Sequence, residues 1–447
     1  MGIAKPMKPK LLLISTLLAL SAGASAENLL DVYRLAAEAD PQIKAAEAAW
    51  QATRETRNQR LAVFRPQLTL NSNLTRNRQE FLSGGFFGRS FSGQTLYSSN
   101  SGLTLNLNQP LYHRNYYVEL RQTEARTRQA EADYNAAQQA LFSRVAERYF
   151  NVLAAADNVE FARAEKEAIG QQLEQTRRRF DVGLVAITDV NEAQARYDLA
   201  VSQEVAAQNA LASAREALRE TTGMLPESLQ GVSAQIPLAS PDPQNVEQWV
   251  DSALKQNFQI ISAQAATEVA SEAIKLQRAG HYPVLDAVAS HGYTNFSGGA
   301  FGARETLDSA IGLQLIVPLY QGGAVDSRTR EAQHRLTQAK EIQEQQTRAV
   351  SRQTRDSYLN VLSNISQVEA TKQAVVSSQS ALDATQAGLE VGTRTTIDVL
   401  NAQRDLFRAK RDLSRARYDY LVNTVRLKQA AGMISLSDLE QINGWLK

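Results

Sequence analysis

Two closely similar nine-residue segments carry the side chains of this chain that are best placed for chemistry. Residues 182–190 read Val-Gly-Leu-Val-Ala-Ile-Thr-Asp-Val, and residues 391–399 read Val-Gly-Thr-Arg-Thr-Thr-Ile-Asp-Val. Each segment places hydroxyl and carboxylate groups just before a long run of helix-forming residues. A hydroxyl at a helix start accepts hydrogen bonds from free backbone N–H groups, and a carboxylate in the first turn complements the helix dipole. We therefore expect one helix to begin at the end of each segment.

The polar side chains of the two segments have a simple structural interpretation. Thr188 and Thr395 are predicted to be N-caps, and Asp189 and Asp398 are predicted to lie in the first helical turn. Each such interaction contributes a few tenths to about 1 kcal/mol to helix stability. One residue can cap a helix and also have a second role, so the capping interpretation does not settle the function.

A glycine near the start of each segment indicates a tight turn between two helices. Gly183 and Gly392 can adopt positive φ without steric cost, and such a residue commonly ends a helix. We therefore predict that each segment reverses the chain between two antiparallel helices.

The sequence gives no support for an enzyme. The four histidines, His113, His281, His291 and His334, do not have the spacing of metal ligands. The chain also lacks a nucleophile elbow, a phosphate-binding loop and a dinucleotide-binding fingerprint. We expect no catalytic residues, no metal and no cofactor.

The elements that position the two segments are very long helices. Residues 114–181 and 324–390 contain no proline and almost no glycine, and Ala, Gln, Glu and Arg dominate both runs. A helix of this length extends about 100 Å at 1.5 Å per residue. Ordinary globular helices are much shorter, which indicates an elongated molecule.

A second helix follows each segment, and its apolar residues repeat every seven positions. The predicted helices are 189–221 and 397–431. A seven-residue apolar period indicates a coiled coil, and interleaved alanines allow close helix packing. The positions of the repeat are Val190, Tyr197, Leu211 and Leu218 in the first helix and Val399, Leu406, Leu413, Tyr420 and Leu427 in the second.

Four short segments in which apolar and polar residues alternate argue against a chain that is only one extended helical rod. They are 67–77, 102–112, 284–294 and 309–319. Alternating apolar and polar residues indicate β-strands with one apolar face. At about 10 residues each, they have the length of membrane-crossing strands, although the same pattern in isolation also fits a half-buried sheet of a soluble protein.

Four strands are too few to close a barrel. Open strand edges are not tolerated in lipid, so a membrane sheet of this size needs strands from other subunits. A homotrimer would supply 12 strands, an even number within the usual outer-membrane range.

The first 26 residues predict export from the cytoplasm. Lys5, Lys8 and Lys10 precede an apolar run and a small-residue cleavage site, which is typical of a signal peptide at 1–26. The formal net charge of the full chain is only +1, so there is no electrostatic case for nucleic acid as a partner. The chain contains no cysteine, which excludes a disulfide framework in this exported protein.

The two segments, the helices and the strand pairs together resemble the TolC family of outer-membrane exit ducts. The order of elements occurs twice, about 200 residues apart, which indicates an internal duplication and not a short-module solenoid. The resemblance implies an α+β membrane protein in which a trimeric 12-strand β-barrel in the outer membrane continues as an α-helical coiled-coil tunnel in the periplasm. The expected regions are a first repeat at 27–232, a Pro-rich equatorial linker at 233–244, a second repeat at 245–432 and an equatorial tail at 433–447.

The resemblance also implies the activity and the partners. Members of the family export drugs, small molecules or proteins from an inner-membrane ABC, RND or MFS-type transporter and a periplasmic adaptor, the membrane fusion protein. The competing hypothesis is that the chain is itself a periplasmic coiled-coil adaptor or scaffold, which would share the heptads and the signal peptide. The strands and the duplication argue against this alternative.

Carried over to this chain, the resemblance implies a gate at the periplasmic end of the tunnel. Arg394 matches the arginine that bonds Thr188, and Asp189 matches its carboxylate partner on a neighbouring coil. Leu389 stands where a gate tyrosine occurs in the best-known pattern, so one hydrogen bond of that pattern is missing.

The resemblance further implies a constriction ring and an adaptor contact. Three copies of Asp398 would line the narrowest point, where they would favour cations and raise the pKa of one another by proximity. Asn401 stands where a second ring aspartate occurs. The turn residues expected to meet the adaptor are Gly183, Leu184, Gly392 and Thr393.

Overall fold

The computed structural model describes residues 27–83, 85–86, 89–90, 93–226, 228–233, 236–299 and 302–446. The predicted signal peptide, 1–26, lies outside these ranges. In the part of the chain that is described, no helix has both the length and the apolar composition needed to cross a membrane.

The described residues of the first half of the chain form four helices and four strands. Two helices precede the strands, and two follow them. In chain order they are α1 (Leu29–Ala39), α2 (Pro41–Ala62), β1 (Gln67–Glu80), β2 (Gly85–Phe86), β3 (Arg89–Ser90), β4 (Thr95–His113), α3 (Arg114–Asp181) and α4 (Ile187–Thr222).

The second half has a similar order, without counterparts of β2 and β3 among its described residues, and adds a terminal helix. Its elements are α5 (Val246–Gln256), α6 (Phe258–Arg278), a 3-10 turn (Ala279–His281), β5 (Val284–Gly298), β6 (Arg304–Ile316), α7 (Ala324–Glu390), α8 (Thr396–Ala430) and α9 (Leu436–Asn443). The helices α3 and α7 occupy the ranges expected from the sequence. The coil helices α4 and α8 begin slightly earlier than expected, because the turns before them are shorter than the patterns indicate.

The strands differ more from their predicted bounds. β1, β4 and β5 extend further toward the loop end of the sheet than the apolar alternation does, because the polar residues there continue the backbone ladder. The predicted strand 309–319 is wrong at its C-terminal end, since β6 stops at Ile316. Pro318 follows and has no N–H group to donate to a ladder.

The four long strands form one antiparallel sheet in the order β1-β4-β5-β6. Opposite residues of neighbouring strands project to the same face. Leu68 pairs with Leu107, Leu107 with Ala289, and Ala289 with Ile311, so one row across the sheet is apolar. The alternate row, which runs through Asn71, Thr104, Gly292 and Asp308, is polar or small.

No described residue of the chain covers the apolar face of this sheet. The side chain of Ile311 is 90% exposed and that of Leu313 is 71% exposed, although both are large aliphatic groups. The outer edges of β1 and β6 have no strand partner among the described residues. The sheet therefore has an unpartnered face and two unpartnered edges.

Two helical hairpins extend from the sheet. We call α3 with α4 the first coil and α7 with α8 the second coil. The predicted heptad positions of α8 are buried or partly buried, and Val399, Leu406 and Tyr420 are almost inaccessible. The alanines Ala193 and Ala200 of α4 are also buried, so the close packing indicated by the alanine pattern is present.

Charged and polar contacts also connect the helices of the coils. Lys166 of α3 contacts Glu204 of α4 at 2.5 Å, and the Lys166 hydrogen bond lowers the pKa of that carboxyl. Between the coils, Arg411 of α8 donates to the buried carboxylate of Glu165 of α3 at 2.7 Å. The second coil therefore rests against the first coil through specific polar contacts as well as apolar packing.

The main hydrophobic core lies midway along the molecule, where the short helices surround α3 and α8. Leu29 of α1, Tyr149 of α3, Leu421 of α8 and Leu439 of α9 are buried in one cluster. The Tyr149 hydroxyl donates to the backbone oxygen of Gln230 at 2.8 Å, which attaches the segment after α4 to the core. The short helices and the segment after α4 therefore form one packed layer around α3 and α8.

Candidate functional site

The turns that end the two coils have the geometry that the sequence predicts. Gly183 has φ 77° and Gly392 has φ 78°, values that L-residues with side chains rarely adopt. No heavy atom lies within 4 Å of where a Cβ would stand at either glycine, so backbone conformation and not crowding is the reason for glycine there. The neighbouring apolar side chains Val182, Leu184 and Val391 project from the turns and are exposed.

The start of α8 is a complete capping box. Thr395 is the N-cap, and its hydroxyl accepts from the backbone N–H of Asp398 at 3.2 Å. The Asp398 carboxylate accepts in return from the Thr395 backbone N–H and hydroxyl, each at 2.9 Å. The backbone N–H bond, with a smaller contribution from the hydroxyl, lowers the pKa of Asp398. Within one chain, Asp398 is therefore a capping carboxylate that stays ionised.

The start of α4 is different, and the predicted N-cap at Thr188 is wrong. Ala186 occupies the N-cap position in extended conformation and makes no side-chain cap bond, and the helix begins at Ile187. Thr188 therefore lies one position inside the helix with an exposed hydroxyl. Asp189 lies in the first turn, as predicted.

The predicted gate residues are not joined within one chain. The Arg394 side chain is exposed and makes no hydrogen bond or ion pair with Thr188, Asp189 or any other described residue of its own chain. Its Cγ lies only 2.6 Å from where a Cβ at Gly388 would stand, so this glycine leaves room for the arginine stem. Leu389 packs with Val399 in the apolar core of the second coil.

A contact that the motifs do not indicate lies one turn above Asp398. Arg196 Nη2 of α4 donates to Asn401 Oδ1 of α8 at 3.4 Å in a partly buried position. Leu400, the preceding residue of α8, is 3% exposed and packs with Ile169 and Ala193 of the first coil. The only sequence signal for this contact is an arginine on the helix that faces the predicted ring position of Asn401.

A buried amide nearby lacks a partner. Gln403 of α8 is 6% exposed, and its Oε1 accepts no hydrogen bond from the described part of the chain. Burying an unsatisfied polar atom costs about 1–3 kcal/mol.

We expect Gln403→Leu to be neutral or to raise the thermal stability of the protein, because the substitution removes an unsatisfied polar group. Gln122 is the matched control, since it is equally buried at 6% but donates to the Val269 carbonyl at 3.1 Å. Gln122→Leu should lower stability by about 1 kcal/mol. Thermal unfolding of both variants tests this, and equal losses of stability would contradict it.

Comparison with known proteins agrees with this architecture. A family model described as outer membrane efflux protein matches residues 32–224 and 249–433. The chain is 38% identical over 431 residues to the outer membrane protein TolC of Vibrio cholerae, with 96% of each chain covered. It is 32% identical to the alkaline protease secretion protein AprF of Pseudomonas aeruginosa, over 95% of this chain and 89% of that protein.

A solved structure has the same fold. The CmeC outer membrane channel of Campylobacter jejuni superposes with a TM-score of 0.77 at 17% identity, covering 94% of this chain and 90% of that one. The predicted resemblance to the TolC family is thus confirmed by the family model and by the long alignments. The chain belongs to the outer membrane efflux protein family and is an outer-membrane channel for efflux and secretion that extends into the periplasm.

Proposed function

We propose that three copies of this chain close a 12-strand barrel in the outer membrane and continue it as one helical tunnel. The observation that carries the proposal is the sheet of β1, β4, β5 and β6, which has an uncovered apolar face and two unpaired edges. Apolar side chains facing lipid and polar side chains facing a lumen are the pattern of outer-membrane barrels. Strands from neighbouring copies would pair with both edges and leave none exposed to lipid.

We further propose that the chain arose by internal duplication. The same order of one helix, a strand pair, a long helix and a coil helix occurs in each half, and the two coil turns share a sequence motif. A trimer of duplicated chains would give a tunnel wall with six similar coils. Similar but not identical coils would allow one set to move while the other stays in place.

In this proposal, the gate opens when one set of coils moves at the ends that carry the turns. Since Arg394 is exposed and its side chain makes no hydrogen bond or ion pair within its described chain, it is available to Thr188 and Asp189 of a neighbouring copy, although Asp398 of its own chain lies near enough to interact with it electrostatically. Asp398, from the same turn, would form the constriction ring together with Asn401. The exposed turn residues Gly183, Leu184, Gly392 and Thr393 would contact a periplasmic adaptor.

The activity in this proposal is transport without chemistry. An inner-membrane ABC, RND or MFS-type transporter would deliver drugs, small molecules or proteins, and a membrane fusion protein would connect that transporter to the tunnel. A periplasmic adaptor role for the chain itself is not favoured, because an adaptor has no need of four strands with an apolar outer face.

Disulfide crosslinking tests the barrel, because the chain contains no cysteine of its own. Asn71→Cys on the β1 edge should crosslink with Thr306→Cys, Asp308→Cys or Ala310→Cys on the β6 edge of the next copy, in the register that the barrel adopts. Covalent dimers and trimers on denaturing gels are the expected result. The control pair is Asn106→Cys with Ser290→Cys, which are opposite residues of β4 and β5 and should close only within one chain. Monomers for every edge pair, from protein extracted from outer membranes, would refute the barrel.

A further inference from the structure

The contact between Arg196 and Asn401 joins the two coils of one chain beside the proposed constriction. Arg196 lies on α4 of the first coil, and Asn401 lies on α8 of the second coil. Asn401 follows Asp398 by three positions, so the two side chains lie on the same side of α8, about one turn apart. The guanidinium of Arg196 is therefore held next to the level at which the proposed acidic ring narrows the tunnel.

The helix α8 is held at the same level by apolar packing. Leu400 is almost fully buried against Ile169, Leu173 and Ala193 of the first coil. Any outward movement of the second coil that leaves the first coil in place must withdraw Leu400 from this site. The same movement must also separate Arg196 from Asn401.

We propose that Arg196 and Asn401 form an intrachain latch that holds the second coil against the first, and that Arg196 makes the constriction less cation-selective than three carboxylates alone. The proposal rests on the proposed tunnel and gate. Arginine stays charged at any pH that the protein meets, so each chain holds one permanent positive charge at Asn401, about one turn from its Asp398 carboxylate, which already has Arg394 as a charged neighbour. The asparagine accepts from the guanidinium without neutralising its charge, in contrast to an aspartate at the same position.

An exchange at position 401 tests the latch, because the effect of the same substitution should depend on whether Arg196 is present. In the wild type, Asn401→Asp should form an ion pair with Arg196, tighten the latch and lower the resting conductance of the reconstituted channel. In an Arg196→Gln background, Asn401→Asp should instead add uncompensated carboxylates and strengthen block by multivalent cations. Arg196→Gln alone should raise resting conductance and cation preference.

The two substitutions should be coupled by about twofold or more in conductance, as expected for residues in contact. Arg215→Gln is the matched control, since it removes the same charge from an exposed position further along α4. It should change neither conductance nor block. Independent effects of Arg196→Gln and Asn401→Asp, or an Arg215→Gln effect of equal size, would overturn the latch.

A second measurement separates failure of the latch from failure of the proposed tunnel. Cysteines at both positions, Arg196→Cys with Asn401→Cys, should be joined within one chain by a short bismaleimide reagent, and mass spectrometry of the digested monomer would detect the link. A link in a protein that does not conduct would support the contact and refute the tunnel. The absence of a link in a conducting channel would refute the latch and leave the tunnel intact.

Discussion

Arg394→Ser should make the resting channel leak, and this is the largest functional effect that we expect from a single substitution. The arginine is exposed and makes no side-chain hydrogen bond or ion pair with the described part of its own chain, where it has a weak electrostatic interaction with Asp398, while its proposed partners Thr188 and Asp189 lie at the end of the first coil. A charge-assisted hydrogen bond to such a carboxylate contributes about 1.5–3 kcal/mol. A change of one or two kcal/mol alters an equilibrium by a factor of about 5–30, and three copies of the bond act together. The closed state should therefore lose most of its free-energy advantage over the open state.

The measurement is resting conductance in a planar bilayer, with the sensitivity of intact cells to large antibiotics as a second readout. Asp189→Ala should also raise conductance, and the double variant should add less than the sum of the two, because both substitutions remove the same interaction. Arg178→Ser is the matched control, since Arg178 is an exposed arginine at the end of α3. It should leave the conductance unchanged.

Gly388→Ala offers a second variant that keeps the charge. A Cβ at this position would stand 2.6 Å from Arg394 Cγ, which is too close, so the arginine stem must shift away from its place. We expect an intermediate leak from this variant, because the guanidinium remains but is displaced. Wild-type conductance in Arg394→Ser, Asp189→Ala and Gly388→Ala, with normal trimer yield, would show that these residues only shape the turn.

The sequence is most informative where one local property decides the structure. The helices α3 and α7 could be predicted over their full length, because strong helix formers without proline leave few alternatives. The positive φ of Gly183 and Gly392 follows in the same way, since few other residues tolerate that conformation. The predicted bounds of the strands were less accurate. Strand pairing continues wherever the backbone finds hydrogen-bond partners, even where apolar and polar side chains no longer alternate.

The candidate site was predicted less completely than the fold. Thr188 and Thr395 lie in similar motifs, yet only Thr395 is an N-cap, because the N-cap of α4 is Ala186, two residues before Thr188, and alanine has no hydroxyl. The contact of Arg196 with Asn401 depends on how α4 and α8 are juxtaposed, and residues about 200 positions apart leave no local signal of such a contact. Sequence patterns therefore locate the coil ends, whereas packing between the coils decides which polar groups meet there.

The ion selectivity of the channel should depend on Asp398. Asp398→Ala should weaken block by multivalent cations and reduce cation preference in single-channel recordings, because the proposed ring loses its three carboxylates. The substitution also removes a capping box, so loss of helix stability needs a control. The start of α9 supplies one far from the coil ends, since the Asp438 carboxylate accepts there from the backbone N–H and hydroxyl of Ser435, as Asp398 does from Thr395, and also pairs with Lys428. Asp438→Ala should affect stability without changing selectivity or block.

The block by multivalent cations should change with pH in a definite direction. Hydrogen bonds from the backbone and hydroxyl of Thr395 lower the pKa of Asp398, so the carboxylate remains ionised below the usual range for aspartate. Block should therefore be present at neutral pH and be lost as the pH falls, at a midpoint that this lowering and the mutual repulsion of the three ring carboxylates set together. The contribution of the capping box to folding should be lost over the same range, since a depressed pKa stabilises the folded state above the unfolded pKa.

Thr395→Val removes the hydroxyl that donates to the Asp398 carboxylate and keeps nearly the same side-chain shape at position 395. The substitution removes the side-chain hydrogen bond at 2.9 Å and leaves the backbone N–H in place, so the pKa of Asp398 should rise toward its ordinary value. Block by multivalent cations should then disappear at a higher pH than in the wild type. Repulsion among the three ring carboxylates would raise the pH at which half of the block is lost in both proteins. The difference in that pH between Thr395→Val and the wild type therefore reports the hydroxyl alone. An identical midpoint in Thr395→Val and wild type, or undiminished block in Asp398→Ala, would show that cations are held by other groups and that Asp398 only caps α8.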